Sequence, residues 1–308
     1  MDRHGRDSKL HVWQMKPEDE RDSSTTLLVN DSTTERKQPW LLHTLTLNTL
    51  NFCSFTMCPE VLPKHETNVS QSQNGSILVA TPGIQDGFIN ITSLPNEARI
   101  ATIVTPKDVK TGMLMAVKVM YHNAALAIMA GYESGHTAIW QQNAHGHWQT
   151  TYVNKAHSQP VLSLDVCTIL KCFFTSSADA VIARHPVPGS KVETKYVQTK
   201  HAGQQALTVR SDQKIFATAG WDGRARVYST QSMNGLAVLK WHKEGCYALA
   251  FANILDDDGR EPKPDGDEGA ALTKRDLTVS QQRIEKAKAT HWLAAGSKDG
   301  KISLWDIY

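Results

Sequence analysis

The chain contains no run of about 18 consecutive apolar residues, the length that a membrane-crossing helix requires, so no membrane span is expected. Its first residues, MDRHGRDSKLHVWQMKPEDE, lack an apolar stretch, and no secretory signal is expected there. Cysteine is scarce: five residues in 308. Neither Cys53/Cys58 nor Cys167/Cys172 has the C-x-x-C spacing of a zinc knuckle. All five read as reduced core or strand residues, which places the chain in the cytosol or nucleus. The sequons at Asn30, Asn68, Asn74 and Asn90 carry no weight in that setting. Charge of one sign is also missing. The 33 Lys+Arg and 31 Asp+Glu leave a formal net charge of +2. That balance excludes affinity built on phosphate neutralisation or on an anionic membrane, so neither nucleic acid nor membrane is an expected direct partner.

Motifs of catalysis are absent too. GSKDGK at 296–301 lacks the spacing of a phosphate loop, and no G-x-S-x-G elbow occurs. His145-Gly-His147 has two metal-ligand types but no evident third. Every cysteine lies on or near an expected strand. The chain is expected to have no catalytic residue, no cofactor and no metal. An enzyme remains the opposing hypothesis; it would need clustered acids or histidines in a charged funnel.

What is present is a repeat. AAGSKDGKISLWDIY at 294–308 returns as ATAGWDGRARVYS at 217–229 and IMAGYESGHTAIW at 128–140, and in part as HGRDSKLHVW at 4–13. VATPGIQDGFINIT at 79–92 and TSSADAVIARH at 175–185 are weaker copies. Aligned on the turn residues Asp7, Asp86, Ser134, Asp179, Asp222 and Asp299, the sixth following positions are Trp13, Thr92, Trp140, His185, Tyr228 and Trp305. The turn spacings are 79, 48, 45, 43 and 77. The middle three fit the ~40–45-residue period of a WD-type blade. Asp-Gly supplies the positive φ of a tight hairpin, and the flanks alternate in polarity as strands do. An upstream strand in three units is preceded by a histidine: His157, His201 and His242. The expected fold is therefore all-β, a WD-repeat β-propeller formed by residues 1–308 as a single domain.

Expected blades span about 49–104, 112–153, 161–199 and 206–240, with a fifth starting at Cys246 and resuming at His291. The first of these has strands expected near 49–56, 77–81, 87–92 and 98–104. HGRDSKLHVW and LLHTLTLN at 41–48 read as two strands of one further blade. This makes about five to five and a half blades, against a seven-bladed parent with more residues N-terminal to this chain. Two insertions interrupt the pattern. Residues 14–39 read as a polar loop. Residues 256–290 combine an acidic run, DDDGREPKPDGDEG, with the helix-compatible stretch TVSQQRIEKAKATH. The acidic run suits either a solvated loop or a partner-binding appendage meeting a basic surface.

AHSQPVLSLDV, SSADAVIARHPVP and KHAGQQALTVRSDQKIFATAGWDGRARVYS, with the final WLAAGSKDGKISLWDIY, resemble the ASTRA-associated protein 1 family of fungal WD-repeat proteins. The resemblance covers essentially the whole chain and extends to the animal G-protein beta-subunit-like protein 1. In WD repeats a His, a hydroxyl, a turn Asp and a Trp form one hydrogen-bonded chain per blade. Carried over, this implies a structural role for His242, Asp299 and Trp305, with Ser297 as hydroxyl. It implies the same role for His201, Asp222 and Tyr228, and for His157 and Asp179, where His185 replaces the aromatic residue. Asp7, Trp13, Asp86 and Trp140 complete the structural set. The family further implies a non-catalytic scaffold subunit of the ASTRA complex, acting in chromatin remodelling and in maturation of PI3-kinase-related kinases. Its implied partners are AAA+ ATPases, a Tra-type pseudokinase and co-chaperone subunits. The implied location is the nucleus, with the cytoplasm as a second site. An adaptor of another assembly, similar to a G-protein beta subunit or a substrate receptor, is the alternative. Trp221, Arg224 and Arg226, in or beside the 222–223 hairpin, are the candidate partner-binding residues.

Overall fold

The computed structural model describes residues 2–4, 8–16, 39–48, 53, 55–60, 75–254 and 278–307. Two compact units are present, Met1–Lys155 and Ala156–Tyr308. In the first, β1 (Asp2–His4), β2 (Lys9–Gln14) and β3 (Trp40–Thr46) form a sheet in that order. Next come β4 (Thr56–Pro59), β5 (Ile77–Pro82), β6 (Ile89–Leu94) and β7 (Ala98–Ile103). The third sheet is β8 (Leu114–His122), β9 (Ala125–Tyr132), β10 (His136–Gln142) and β11 (Trp148–Lys155).

The second unit begins with β12 (Val161–Cys167), β13 (Cys172–Ser177), β14 (Val181–Pro186) and β15 (Lys195–Gln198). Its second sheet is β16 (Gln204–Val209), β17 (Ile215–Gly220), β18 (Arg224–Ser229) and β19 (Gly235–Lys240). The last is β20 (Cys246–Phe251), β21 (Trp292–Ser297) and β22 (Ile302–Asp306). Every pair is antiparallel and joins neighbours in sequence. Short turns demand this for most pairs, since a parallel pair needs a long crossover, but β2–β3, β4–β5 and β20–β21 are antiparallel across long connections.

The strands are graded in burial, and their sequences say why. In the four-stranded sheets the second strand is apolar or small nearly throughout, as in β13 (CFFTSS) and β17 (IFATAG), and every residue of both is buried. The fourth strand is mostly exposed: β11 (WQTTYVNK) is rich in polar residues, whereas β19 (GLAVLK) is exposed although apolar up to Lys240. A strand covered on both faces reads as a continuous apolar run, while an outer strand alternates. Phe174, Phe216 and Tyr228 stack in one column, with ring centroids 4.4 and 5.1 Å apart. In the first unit, Leu78, Ile89, Ile128, Tyr132 and Trp140 belong to one core cluster.

The repeat extends to irregularities. The register shifts immediately before the aromatic position in three sheets, at Val12/Trp13, Ile139/Trp140 and Val227/Tyr228, and at the matching Ile91/Thr92. A second shift recurs near the start of the first strand in four sheets, for example at Val161/Ser163 and Gln204/Ala206. A bulge re-aims the side chain beside it, so repeated bulges hold equivalent side chains at equivalent points.

Three expectations shift. The first sheet has three strands rather than two, because Asp2–His4 pairs with β2 upstream of the turn. The strand expected near 49–56 lies later, at Thr56–Pro59, where Thr56 opposes Ala80 and Pro59 opposes Ile77. The helix-compatible stretch is a helix, α1 (Val279–Ala289), opened by a capping box between Thr278 and Gln281. Residues 17–38 of the polar insertion and 256–277 of the acidic one lie outside the described residues. No helix among the described residues is long and apolar enough to cross a membrane.

Candidate functional site

The predicted structural residues converge most fully in the β12–β15 sheet. His157 lies just before β12, and Asp179 in the turn between β13 and β14. His157 Nδ1 is 3.2 Å from Asp179 Oδ1, and its Nε2 is 2.8 Å from Thr175 Oγ1 on β13. Thr175 Oγ1 is in turn 3.0 Å from Nε2 of His185 on β14. Asp179 also accepts the backbone N–H groups of Ser158 and Val181, both at 2.9 Å. Burial works against the Asp179 carboxylate, but these bonds together hold its pKa below the usual range. His185 stacks on Phe173 with centroids 4.7 Å apart. Burial, then the neighbouring His157, pushes its pKa down to about 3. A neutral imidazole thus does the work of an indole: an apolar ring with one polar edge.

The β20–β22 sheet builds the same chain with one part relocated. His242 Nδ1 is 3.2 Å from Asp299 Oδ2, and its Nε2 is 2.9 Å from Ser303 Oγ. Trp305 Nε1 donates to the same oxygen at 2.8 Å. Ser297, expected to supply the hydroxyl, instead donates to Glu244 O at 3.1 Å and receives the Asp299 N–H at 3.3 Å. The two sheets are related by a swap across a strand pair. Thr175 opposes Ala183 in one sheet, and Ala295 opposes Ser303 in the other. The hydroxyl has crossed from the second strand to the third, and the alanine has crossed back.

In the β16–β19 sheet the expected chain does not close. His201 has a side chain 41% exposed and stands 3.8 Å from Asp222 Oδ2. The buried amide of Gln204 takes the inner place. It accepts from Thr218 Oγ1 at 2.8 Å and donates to His201 O at 3.0 Å. Asp222 is claimed by Arg226 through two bonds, one of them Nη1–Oδ1 at 3.1 Å. Burial acts against its carboxylate, and the Arg226 bond leads the effects that pull its pKa below the usual range. Arg226 is therefore not a partner-binding side chain. It is 4% exposed, opposes Thr218, and is spent inside the sheet.

The first unit has little of this polarity. Trp140 is buried, and its ring meets that of Tyr132 edge-on at 6.3 Å. Where the sheets of the second unit put a hydroxyl, Ala130 opposes Ala138, so this sheet relies on packing. Asp86 is exposed in its turn. Trp13 lies on β2 with its ring 5.9 Å from that of His11. Asp7 lies outside the described residues. The backbone N–H groups of His145 and His147 both donate to Asn143 Oδ1, at 3.0 and 2.9 Å, so these histidines belong to a turn.

The remaining candidates sit on the surface of the second unit. Trp221 is 45% exposed, and its Nε1 donates to Gln205 Oε1 at 2.9 Å. Its ring lies over Gly203, whose φ is +75°; a Cβ there would come within 2.1 Å of the ring. Gly245 separates Trp221 from Tyr247 so closely that a Cβ would meet both, and Tyr247 is also exposed. Trp241 is exposed too, with Lys301 Nζ 5.7 Å from its ring centroid. Arg224 begins β18. In the first unit a cavity of about 560 Å³ is lined by Trp140, Trp148, Val104, Pro106, Lys107 and threonines. Its lining has no carboxylate, imidazole or thiol. Among the described residues no three His, Cys, Asp or Glu side chains group as metal ligands do.

Antiparallel meanders repeated with the same bulges, and His–hydroxyl–aromatic chains threaded through them, define a WD-repeat β-propeller protein. The model for the WD domain, G-beta repeat matches residues 287–306, which hold β21, β22 and Asp299. The chain is 44% identical to ASTRA-associated protein 1 of Penicillium rubens, over 99% of its own length and 81% of that protein. To the same-named proteins of Aspergillus flavus and Verticillium alfalfae it is 44% and 45% identical, over 99% of its length and 80% and 76% of theirs. It belongs to the ASTRA-associated protein 1 family.

Proposed function

We propose that the chain is a non-catalytic scaffold of the ASTRA assembly, contributing there to chromatin remodelling and to maturation of PI3-kinase-related kinases in the nucleus. The observation that carries this reading is the identity of 43–45% with proteins named for ASTRA association, spread over 99% of the chain. The side chains support it, because the histidines and carboxylates that could do chemistry hold strands together instead. Scaffold binding needs exposed anchors, and Trp221, Trp241 and Tyr247 provide aromatic ones in the second unit, with the half-buried Arg224 as a cationic neighbour. AAA+ ATPases, a Tra-type pseudokinase and co-chaperone subunits are the partners this reading calls for.

The test is affinity purification of the tagged protein from nuclear extract, followed by mass spectrometry. Recovery of those subunits supports the proposal. Recovery of a different assembly, or of the bait alone from an extract where the other subunits purify together, overturns it. The variant pair Trp221→Ala and Arg224→Glu is expected to reduce recovery by about tenfold or more, the effect of losing one interface anchor.

A further inference from the structure

Cys167 and Cys172 form a facing dithiol, both fully buried in the core cluster that holds Phe174, Phe216 and Tyr228. Cys167 ends β12 and Cys172 begins β13, and the two residues stand directly opposite across the antiparallel pair. Residues directly opposite in such a pair have Cα atoms about 4.5–5.5 Å apart, inside the roughly 4.4–6.8 Å that a disulfide spans. The backbone is thus already placed for a bond. The two thiols also influence each other: the neighbouring Cys172 thiol lowers the pKa of Cys167, and Cys167 raises that of Cys172. Backbone N–H groups of Leu170 and Ile169 assist the Cys167 thiolate; burial and Asp165 oppose it. The charge of Arg184 favours the Cys172 thiolate, but Cys167 and burial outweigh it.

The hairpin turn is held in place from outside. Gln213 accepts the Ile169 N–H at 2.8 Å and donates to Thr168 Oγ1 at 2.8 Å, while its backbone oxygen accepts from the Cys167 thiol at 3.9 Å, a contact the thiolate must give up. The other cysteines are differently situated. Burial raises the thiol pKa of Cys53, and that of Cys58 and of Cys246 to about 11. An oxidant that selects for thiolate therefore meets one favoured sulfur with a resolving thiol beside it.

We propose that Cys167 and Cys172 are a reversible oxidation site that closes an intramolecular disulfide on reaction with a peroxide. The Cys167 thiolate attacks one peroxide oxygen, the O–O bond breaks, and sulfenic acid and hydroxide form. The hydroxide takes the Cys172 proton and leaves as water. The Cys172 thiolate then attacks the Cys167 sulfur, the S–O bond breaks, and the departing hydroxide gains a proton to become a second water. Two thiols lose two electrons in total and one peroxide gains them. Both sulfurs are buried, so access requires brief opening of the 168–171 turn, where Ile169 is 69% exposed.

The experiment treats the folded full chain with graded hydrogen peroxide, blocks remaining thiols with N-ethylmaleimide, and maps the products by mass spectrometry. The expected product is a Cys167–Cys172 disulfide that dithiothreitol reverses, formed at least about fivefold faster than any change at Cys53, Cys58 or Cys246. Cys172→Ala is expected to leave a Cys167 sulfenic acid that dimedone traps. The wild-type map stands alone if alanine loosens the hairpin. Oxidation first at Cys58, disulfides between chains, or unreacted Cys167 and Cys172 under peroxide that oxidises the denatured chain would each overturn the proposal.

Discussion

Replacing Ser303 with alanine removes one oxygen that serves two nitrogens. His242 Nε2 and Trp305 Nε1 both bond to Ser303 Oγ, at 2.9 and 2.8 Å. The His242 side chain is 3% exposed, so water cannot replace the lost partner. A buried polar group left unsatisfied costs about 1–3 kcal/mol. Trp305 is only partly buried and contributes the lower part of that range. The expected loss is about 2–4 kcal/mol, which speeds hydrogen exchange of the β21 and β22 amides by about 30- to 1,000-fold. The opposing residue supplies a control. Ala295→Thr in the Ser303→Ala background recreates the arrangement of Thr175 and Ala183, with the oxygen offered from the other strand. It should recover at least half the loss. Ala295→Thr alone, with Ser303 in place, overfills a site where Ala295 is 1% exposed, and should cost about 1–3 kcal/mol. The two changes must therefore couple strongly and favourably. If Ser303→Ala alters exchange less than about threefold, or if the double variant is only the sum of the singles, the shared-oxygen account is wrong.

Other outcomes follow from the same geometry. His185 is neutral in the folded chain down to about pH 3, whereas an unfolded histidine takes up a proton near 6.5, so stability falls as pH drops between those values. His185→Tyr, the residue type at position 228, removes that charge change, and urea unfolding at pH 7, 6, 5 and 4 should show a shallower decline. The depressed Asp179 and Asp222 add stability present above about pH 4 and lost as pH falls through their lower folded values, and that part of the profile should remain in the variant. Gly203→Ala forces a side chain into the Trp221 ring at a positive φ; the expected cost is about 2 kcal/mol or more, with a change in tryptophan emission. Arg226→Ala removes the main partner of Asp222, whose side chain is 29% exposed and can be rehydrated, and should cost about 1–2 kcal/mol, measured by thermal unfolding.

The sequence alone determined the fold class, because turn chemistry and strand alternation are local. Asp222-Gly223 and Asp299-Gly300 specify tight hairpins whatever surrounds them, and the aromatic residue six positions later marks the third strand. The histidines before the first strands were visible as a repeat, and two of the three join the expected chain. What linear spacing could not carry was which residue faces which across a strand pair. Ser297 lies two residues before Asp299 and looks like the right hydroxyl, but it points to Glu244, while Ser303 faces His242. A four-residue offset was the available signal: Thr175 and Thr218 each lie four before their turn aspartates, and Ser303 lies four after Asp299. Arg226 looked like a surface cation because its strand alternates in polarity, yet the inward alternation placed it on Asp222 and left His201 aside. Only the tertiary structure decided these points. A side chain's partner depends on register, bulge position and which face is covered, and none of the three is a property of one strand's own residues.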